Sequence, residues 1–223
     1  MKKPLRPNDR RRQRAVGRLL VLMLGLSLAG CVGSLLAPPA EQTTTHTYLL
    51  EWPGDMPPAT RRADGPSLLI APVRAAPGFD SPEMAYMRHS YELEYFARHR
   101  WVDTPARMLE PLLLRAAEQT GLLRSVSAAG SAVQADLRLD SRLLYLQQVC
   151  PLQPSELQLG LRVSLIESAS GRVLDERTLA VSEPLEVRTP YAGVQAANRA
   201  LARLLTELQD WLADQLGTPR PRG

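Results

Sequence analysis

The chain is poor in the residues that most often carry covalent or metal chemistry. Its 223 residues include 2 cysteines and 3 histidines. The histidines, His46, His89 and His99, have no companion cysteine or paired carboxylate at metal-ligand spacing. No G-x-S-x-G motif, Walker loop or dinucleotide-binding glycine pattern occurs either. We therefore expect no metal, no cofactor and no enzyme activity, and interpret the chain as a binding or structural protein.

Basic charge is also scarce once the N-terminal segment is set aside. Of the 27 lysines and arginines, eight precede Cys31, against one of the 23 acidic residues. The rest of the chain carries 19 basic and 22 acidic residues, so its net charge is negative. A domain of this charge lacks the general electrostatic attraction that nucleic acids require, and we expect no nucleic-acid partner.

No apolar run near the N-terminus is long enough to anchor the chain. The run from Leu19 to Ala29 would form a helix of about 16 Å, whereas a bilayer core is about 30 Å thick. A basic segment followed by a short apolar run is typical of a secretory signal peptide.

The apolar run ends in Leu28-Ala29-Gly30-Cys31, which resembles the lipobox of bacterial lipoproteins. The resemblance implies cleavage before Cys31 and attachment of diacylglycerol to its thiol, with Leu28, Ala29 and Gly30 recognised by the signal peptidase. Two or more acyl chains would anchor the protein stably in a membrane. The alternative is an ordinary signal peptide with an incidental Cys31. Val32, where an inner-membrane lipoprotein commonly has Asp, favours the inner leaflet of the outer membrane, facing the periplasm.

Composition divides the chain into four parts. Residues 1–30 are the predicted signal peptide, and residues 31–45 a lipidated flexible tether rich in Pro and Thr. Residues 46–216 form one predicted domain, and residues 217–223 a disordered tail. With Cys31 lipidated, Cys150 has no internal disulfide partner and is expected to be a small buried apolar residue.

Strand signals dominate the predicted domain. Short apolar runs at 46–52 and 66–75 predict one strand each, and 83–103 predicts two strands joined near His89–Tyr91. From 135 to 184, apolar residues alternate with polar ones, which is typical of a half-exposed antiparallel sheet with a hairpin turn at Ser168–Gly171. Within the first of these strands, Leu137, Leu139, Leu143 and Tyr145 are predicted to share one face.

Two helices complete the predicted fold. Thr104-Pro105 and Thr189-Pro190 are N-cap and first-turn pairs. The first helix should end at Gly121, with a bend or late start because of Pro111. The second carries an apolar stripe from Val194 to Leu212. The predicted fold class is α+β, a mainly antiparallel β-sheet with two helices packed on one face.

Aromatic residues cluster in one short segment. Five of the eleven lie within residues 86–101: Tyr86, Tyr91, Tyr95, Phe96 and Trp101. Alternate members either fill the core or face outward as a contact surface for a partner. Alternation places Met84 and Tyr86 on one face, and we predict Met84, Tyr86 and Trp101 as candidate protein-binding residues, for a partner protein or for further copies of this chain.

The order of several weak motifs resembles the ABC-type transport auxiliary lipoprotein family over residues 46–212. The motifs are Tyr86 with Arg88, Trp101, Pro105, Gly121, Ala135-Asp136-Leu137 and the amphipathic segment "AANRALARLLTELQDWL". The resemblance implies a periplasmic, non-enzymatic component of a mammalian-cell-entry (MCE) lipid transport system. Its partners would be an MCE-domain protein with its ABC permease and ATPase. Two alternatives stay open: an outer-membrane assembly lipoprotein that plugs a β-barrel, and a lipid-tethered periplasmic hydrolase.

Overall fold

The computed structural model describes residues 44–53, 60–130, 134–152 and 154–217. The predicted signal peptide, Cys31, most of the tether and residues 218–223 lie outside these ranges. The strands are β1 (His46–Tyr48), β2 (Ser67–Ile70), β3 (Arg74–Ala75), β4 (Glu83–Met87), β5 (Glu94–Trp101), β6 (Ser125–Ala128), β7 (Leu137–Val149), β8 (Glu156–Glu167) and β9 (Val173–Pro184). The helices are α1 (Pro105–Gln119) and α2 (Pro190–Gly217).

The long strand β7 is the branch point of a mixed sheet. On one side it pairs antiparallel with β8, which pairs antiparallel with β9. On its other side the N-terminal part of β7 pairs in parallel with β2, and β2 with β6. The C-terminal part of β7 pairs in parallel with β4, which leads to β5 and then β1. The sheet therefore divides into two arms beyond β7.

Both helices pack against the sheet and against each other. Helix α1 contacts β2, β6 and β7, and α2 contacts β8 and β9. Alternate residues of β7, β8 and β9 are buried beneath them, among them Leu139, Leu161 and Leu179. The α2 stripe is buried from Val194 to Leu212. The predicted fold class is confirmed, with parallel pairings added to the expected antiparallel ones. Within the described residues, neither helix combines the length and the apolar character that spanning a bilayer requires.

The helix starts were predicted correctly, and two other details differ. The Thr104 hydroxyl accepts a hydrogen bond from the Arg107 backbone N–H, and α1 begins at Pro105, so Pro111 causes no late start. Helix α2 extends through Gly217, one residue into the predicted tail. The run at 66–75 forms two strands, because Pro72 has no backbone N–H to continue the ladder.

The prediction that Tyr145 shares a face with Leu143 is wrong. The pairing of β7 with β8 shifts by one residue between Leu143 and Tyr145, and such a bulge reverses the alternation beyond it. Tyr145 consequently lies over Gly160, where an added Cβ would be 2.4 Å from the ring carbon Cζ.

Candidate functional site

The structure separates the three predicted protein-binding residues. Met84 and Trp101 are core residues, with exposures of 3% and 2%, and only Tyr86 is half-buried. The expectation that Met84 and Trp101 face outward is therefore wrong. β4 is an interior strand between β5 and β7, and Trp101 is paired with Tyr48 of β1. Met84 and Trp101 both pack in the main hydrophobic core.

Tyr86 belongs to a row of rings that crosses the β4–β5–β1 arm. Its ring centroid lies 4.3 Å from that of Phe96, which lies 6.2 Å from His99. His99 stacks on Tyr48 at 5.9 Å, and Tyr48 reaches Tyr191 on α2 at 6.2 Å. We call these five residues the aromatic surface. His46 stacks on His99 at its margin, with a centroid distance of 5.0 Å.

An irregularity in β5 brings two of these rings to the same side. Glu83 pairs with Arg100 and Ala85 with Tyr95, so β5 advances five residues where β4 advances two. Residues three apart would face opposite sides of a regular strand, whereas Phe96 and His99 are in contact. Side chains of paired residues in neighbouring strands share a face. Tyr86 is paired with Gln148, whose side chain meets Gly193 of α2, so the rings lie on the helix-bearing side of the sheet.

Exposed apolar residues include one member of the aromatic surface, Tyr191, and two residues beside the end of β1, Leu49 and Val102. Leu49 is 50% exposed, Val102 53% and Tyr191 59%. The Val102 backbone N–H donates to the Tyr48 carbonyl oxygen at 2.8 Å, which places Val102 beside the end of β1. Asn198 of α2 accepts from the Glu51 N–H and donates to the Leu49 carbonyl oxygen. The segment after β1 is thus fixed to α2, with Leu49 in solvent while Leu50 and Trp52 pack into the core.

The rings at the centre of the surface are neutral at physiological pH. Burial, followed by the charges of His46 and Arg98, lowers the pKa of His99. Burial, followed by Tyr191, raises the pKa of Tyr48, whose hydroxyl lies 2.9 Å from His99 Nδ1. A neutral surface of large rings can be desolvated by a partner at lower cost than a charged one.

The β4–β5 turn carries an ion pair at the edge of the aromatic surface. Arg88 and the Tyr86 hydroxyl both donate to the Glu94 carboxylate. These hydrogen bonds, first that of Arg88 and then that of Tyr86, lower the pKa of Glu94 to about 2. His89, Glu92 and Glu94 have ligand atoms within 4.8 Å of one another. Because both Glu94 oxygens already accept hydrogen bonds from Arg88 or Tyr86, this exposed group is a poor metal site.

Tyr91 occupies the tip of the same turn and is fully exposed. Its backbone φ is 70°, in the left-handed region that non-glycine residues seldom adopt. Residues held in such a conformation are enriched at functional sites, and among the described residues the Tyr91 ring is free of packing contacts that would explain it.

A cavity of about 510 Å³ opens beside β4 and β5, near the start of the described domain. Thr45, Glu83, Phe96, His99 and Arg100 are among its lining residues. Phe96 and His99 therefore join the cavity to the aromatic surface.

Sequence reasoning found part of this site and missed the rest. Tyr86 and Phe96 lie in the segment that the aromatic clustering identified. Tyr48 and Tyr191 were missed, because they come from β1 and the first turn of α2 and meet only in the folded chain. Cys31 and its predicted recognition residues Leu28, Ala29 and Gly30 lie outside the described residues, so the lipidation site stays a prediction. Cys150 is a free cysteine and is only half-buried.

The fold and its surface define a class of protein, a single-sheet α+β domain with a row of aromatic rings across one arm of the sheet. Residues 48–209 match the family model of the ABC-type transport auxiliary lipoprotein component. The chain belongs to that family.

Solved structures share the fold at low sequence identity. A Xanthomonas campestris protein assigned to family DUF330 is 24% identical, with a TM-score of 0.63 over 76% of this chain and 95% of that one. An uncharacterized protein is 12% identical, with a TM-score of 0.59 over 76% of this chain and 99% of that one. Curated proteins include none that matches the chain significantly.

Proposed function

We propose that this chain is the non-enzymatic lipoprotein of an MCE-type ABC transport system. In this proposal Cys31 anchors it in the inner leaflet of the outer membrane, and the domain docks or receives the lipid conduit that crosses the periplasm. Membership of the transport auxiliary family supports the association with an ABC transporter. The specific MCE partner and the outer membrane are our inference.

The observation that carries the docking role is the aromatic surface, including exposed Tyr191, together with exposed Leu49 and Val102 beside the end of β1. Leu49, Val102 and Tyr191 each leave about half or more of their area in solvent although the core nearby is closed. Contiguous exposed apolar groups beside rings are typical of protein interfaces. The surface begins at β1, directly after the predicted tether, so the lipid anchor would hold it close to the membrane.

The test introduces a charge at the surface of the full lipidated protein. Leu49→Glu and Tyr191→Glu should each abolish co-purification with the MCE and permease subunits, because a buried unpaired carboxylate is costly. Val173→Glu is the matched control, since Val173 is 53% exposed on β9 and is paired with Ile166 of β8, outside the β4–β5–β1 arm. Circular dichroism should show all three variants folded.

Each outcome of this experiment has a defined meaning. Retention of the transporter subunits by both surface variants would refute docking through this surface. Recovery of a β-barrel in place of those subunits would favour the outer-membrane assembly alternative. Loss of self-association alone would identify further copies of the chain as the occupant.

The anchor is tested separately. Cys31→Ala should abolish labelling by a fatty-acid analogue and release the protein from the membrane fraction. Lipid label that persists on the Cys31→Ala protein would overturn the proposed attachment site.

A further inference from the structure

Three arginines stand side by side on the sheet surface opposite the helices. Arg74 of β3 is paired with Arg142 of β7, and Arg142 is paired with Arg162 of β8. All three are exposed, whereas Leu143 and Leu161 on the opposite face are fully buried. Neighbouring strands lie about 4.8 Å apart and paired side chains share a face, so the guanidinium groups can converge on one point.

This arrangement is unfavourable for the sheet by itself. Like charges placed directly opposite each other on neighbouring strands destabilise the pairing. Within the described residues Arg74 and Arg142 form no ion pair, and Arg162 reaches Glu176 only at 4.0 Å. Asp140, the nearest carboxylate of β7, is paired with Arg138 at 2.8 Å. The row therefore keeps uncompensated positive charge in a domain whose overall charge is negative.

A cavity lies against the row. It has a volume of about 320 Å³, and its lining includes Arg74, Arg142 and Arg162 together with Asp140, Ser164 and Pro72. The cavity opens between β2 and β3, where the segment around Pro72 interrupts the pairing with β7. The cavity has room for a small anion or a polar headgroup, and arginine forks are suited to the oxygens of a phosphate.

We propose that Arg74, Arg142 and Arg162 form a binding site for a phosphate group, either that of a phospholipid headgroup or a free phosphate. The two guanidinium groups without an ion pair, on Arg74 and Arg142, supply the principal hydrogen bonds, and Arg162 completes the row. Glu176, hydrogen-bonded to Ser164 at 2.8 Å, stays beside the site and disfavours a second negative group there. The site lies on the opposite side of the sheet from the aromatic surface and does not depend on the proposed function.

Calorimetric titration of the full mature chain in a neutral detergent tests the proposal. The probes are inorganic phosphate, dihexanoyl phosphatidylglycerol and dihexanoyl phosphatidylcholine, all water-soluble. Binding of at least one anionic probe should be saturable and should weaken with added salt. Arg142→Gln should reduce the affinity about tenfold or more, because it removes a hydrogen bond between charged groups. Arg98→Gln, which removes an exposed strand arginine with no ion pair in the described structure, should leave it unchanged.

The probes separate the two sources of phosphate. Tighter binding of dihexanoyl phosphatidylglycerol than of inorganic phosphate identifies a lipid headgroup, and equal affinities identify a free-phosphate site. Arg142→Gln should also melt at the same or a higher temperature than the parent, since it relieves repulsion within the row. Absence of saturable binding, or equal binding by the Arg142→Gln and parent proteins, would overturn the proposal.

Discussion

The replacement of Leu204 by alanine tests whether α2 is part of the hydrophobic core. Leu204 has no exposed surface, and α2 is enclosed by β8, β9 and α1. Truncating a buried leucine costs about 2–5 kcal/mol, because the lost transfer energy is increased by the cavity left behind. Because three elements surround Leu204, the cavity left by its truncation can shrink little. We therefore expect a loss of stability in the upper half of this energy range.

Thermal unfolding of the full chain, followed by circular dichroism, gives the readout. For a domain of 150–250 residues each kcal/mol lowers Tm by about 2–4 °C, so a cost of about 3.5–5 kcal/mol for Leu204→Ala should lower it by about 7–20 °C. Leu49→Ala is the matched control, since it removes the same atoms from a side chain that is 50% exposed. It should lower Tm far less. An unchanged Tm for Leu204→Ala would mean that the stripe faces a partner and that the packing described above is wrong.

Three further predictions concern single residues. Tyr91→Asn should raise the free energy of unfolding by about 0.5–1 kcal/mol, because Asn tolerates a φ of 70° and the exposed ring has no packing to lose; a lower Tm would contradict this. The lowered pKa of His99 means that the unfolded chain binds more protons, so stability should fall as pH drops below about 6.5, and His99→Asn should reduce that slope in denaturant titrations. Gly193→Ala should cost about 1–3 kcal/mol, since its Cβ would lie 1.8 Å from Gln148 Nε2, and adding Gln148→Ala should restore the Tm if that overlap is the cause.

Features set by neighbouring residues could be predicted from the sequence. The alternation of apolar and polar residues predicts the long antiparallel strands β7 to β9. Gly171, which has a φ of 70°, indicates the hairpin turn between β8 and β9. Helix α2 starts where Thr189 caps it, with its hydroxyl accepting from the Ala192 N–H. Each of these signals lies within a few residues of the structure it specifies.

Features that depend on distant pairing could not be predicted in the same way. The parallel pairing of β1 with β5 joins residues about fifty positions apart, and nothing local to either strand specifies it. The bulge before Tyr145 in β7 and the irregularity in β5 both change the face of the sheet on which the following side chains lie. For this reason the aromatic segment was located correctly, while Met84 and Trp101 were assigned to the wrong environment.

The position of β1 gives the domain a mechanical asymmetry. β1 is a three-residue edge strand held by a single neighbour, and it is the first described element after the predicted tether. Tension on a lipid anchor would therefore act first on the shortest strand of that arm, and the hydrogen bonds of Asn198 to Leu49 and Glu51 would oppose separation of the residues that follow. Since Tyr48 lies on β1 and contacts both His99 and Tyr191, separation of β1 from β5 would also interrupt the centre of the aromatic row.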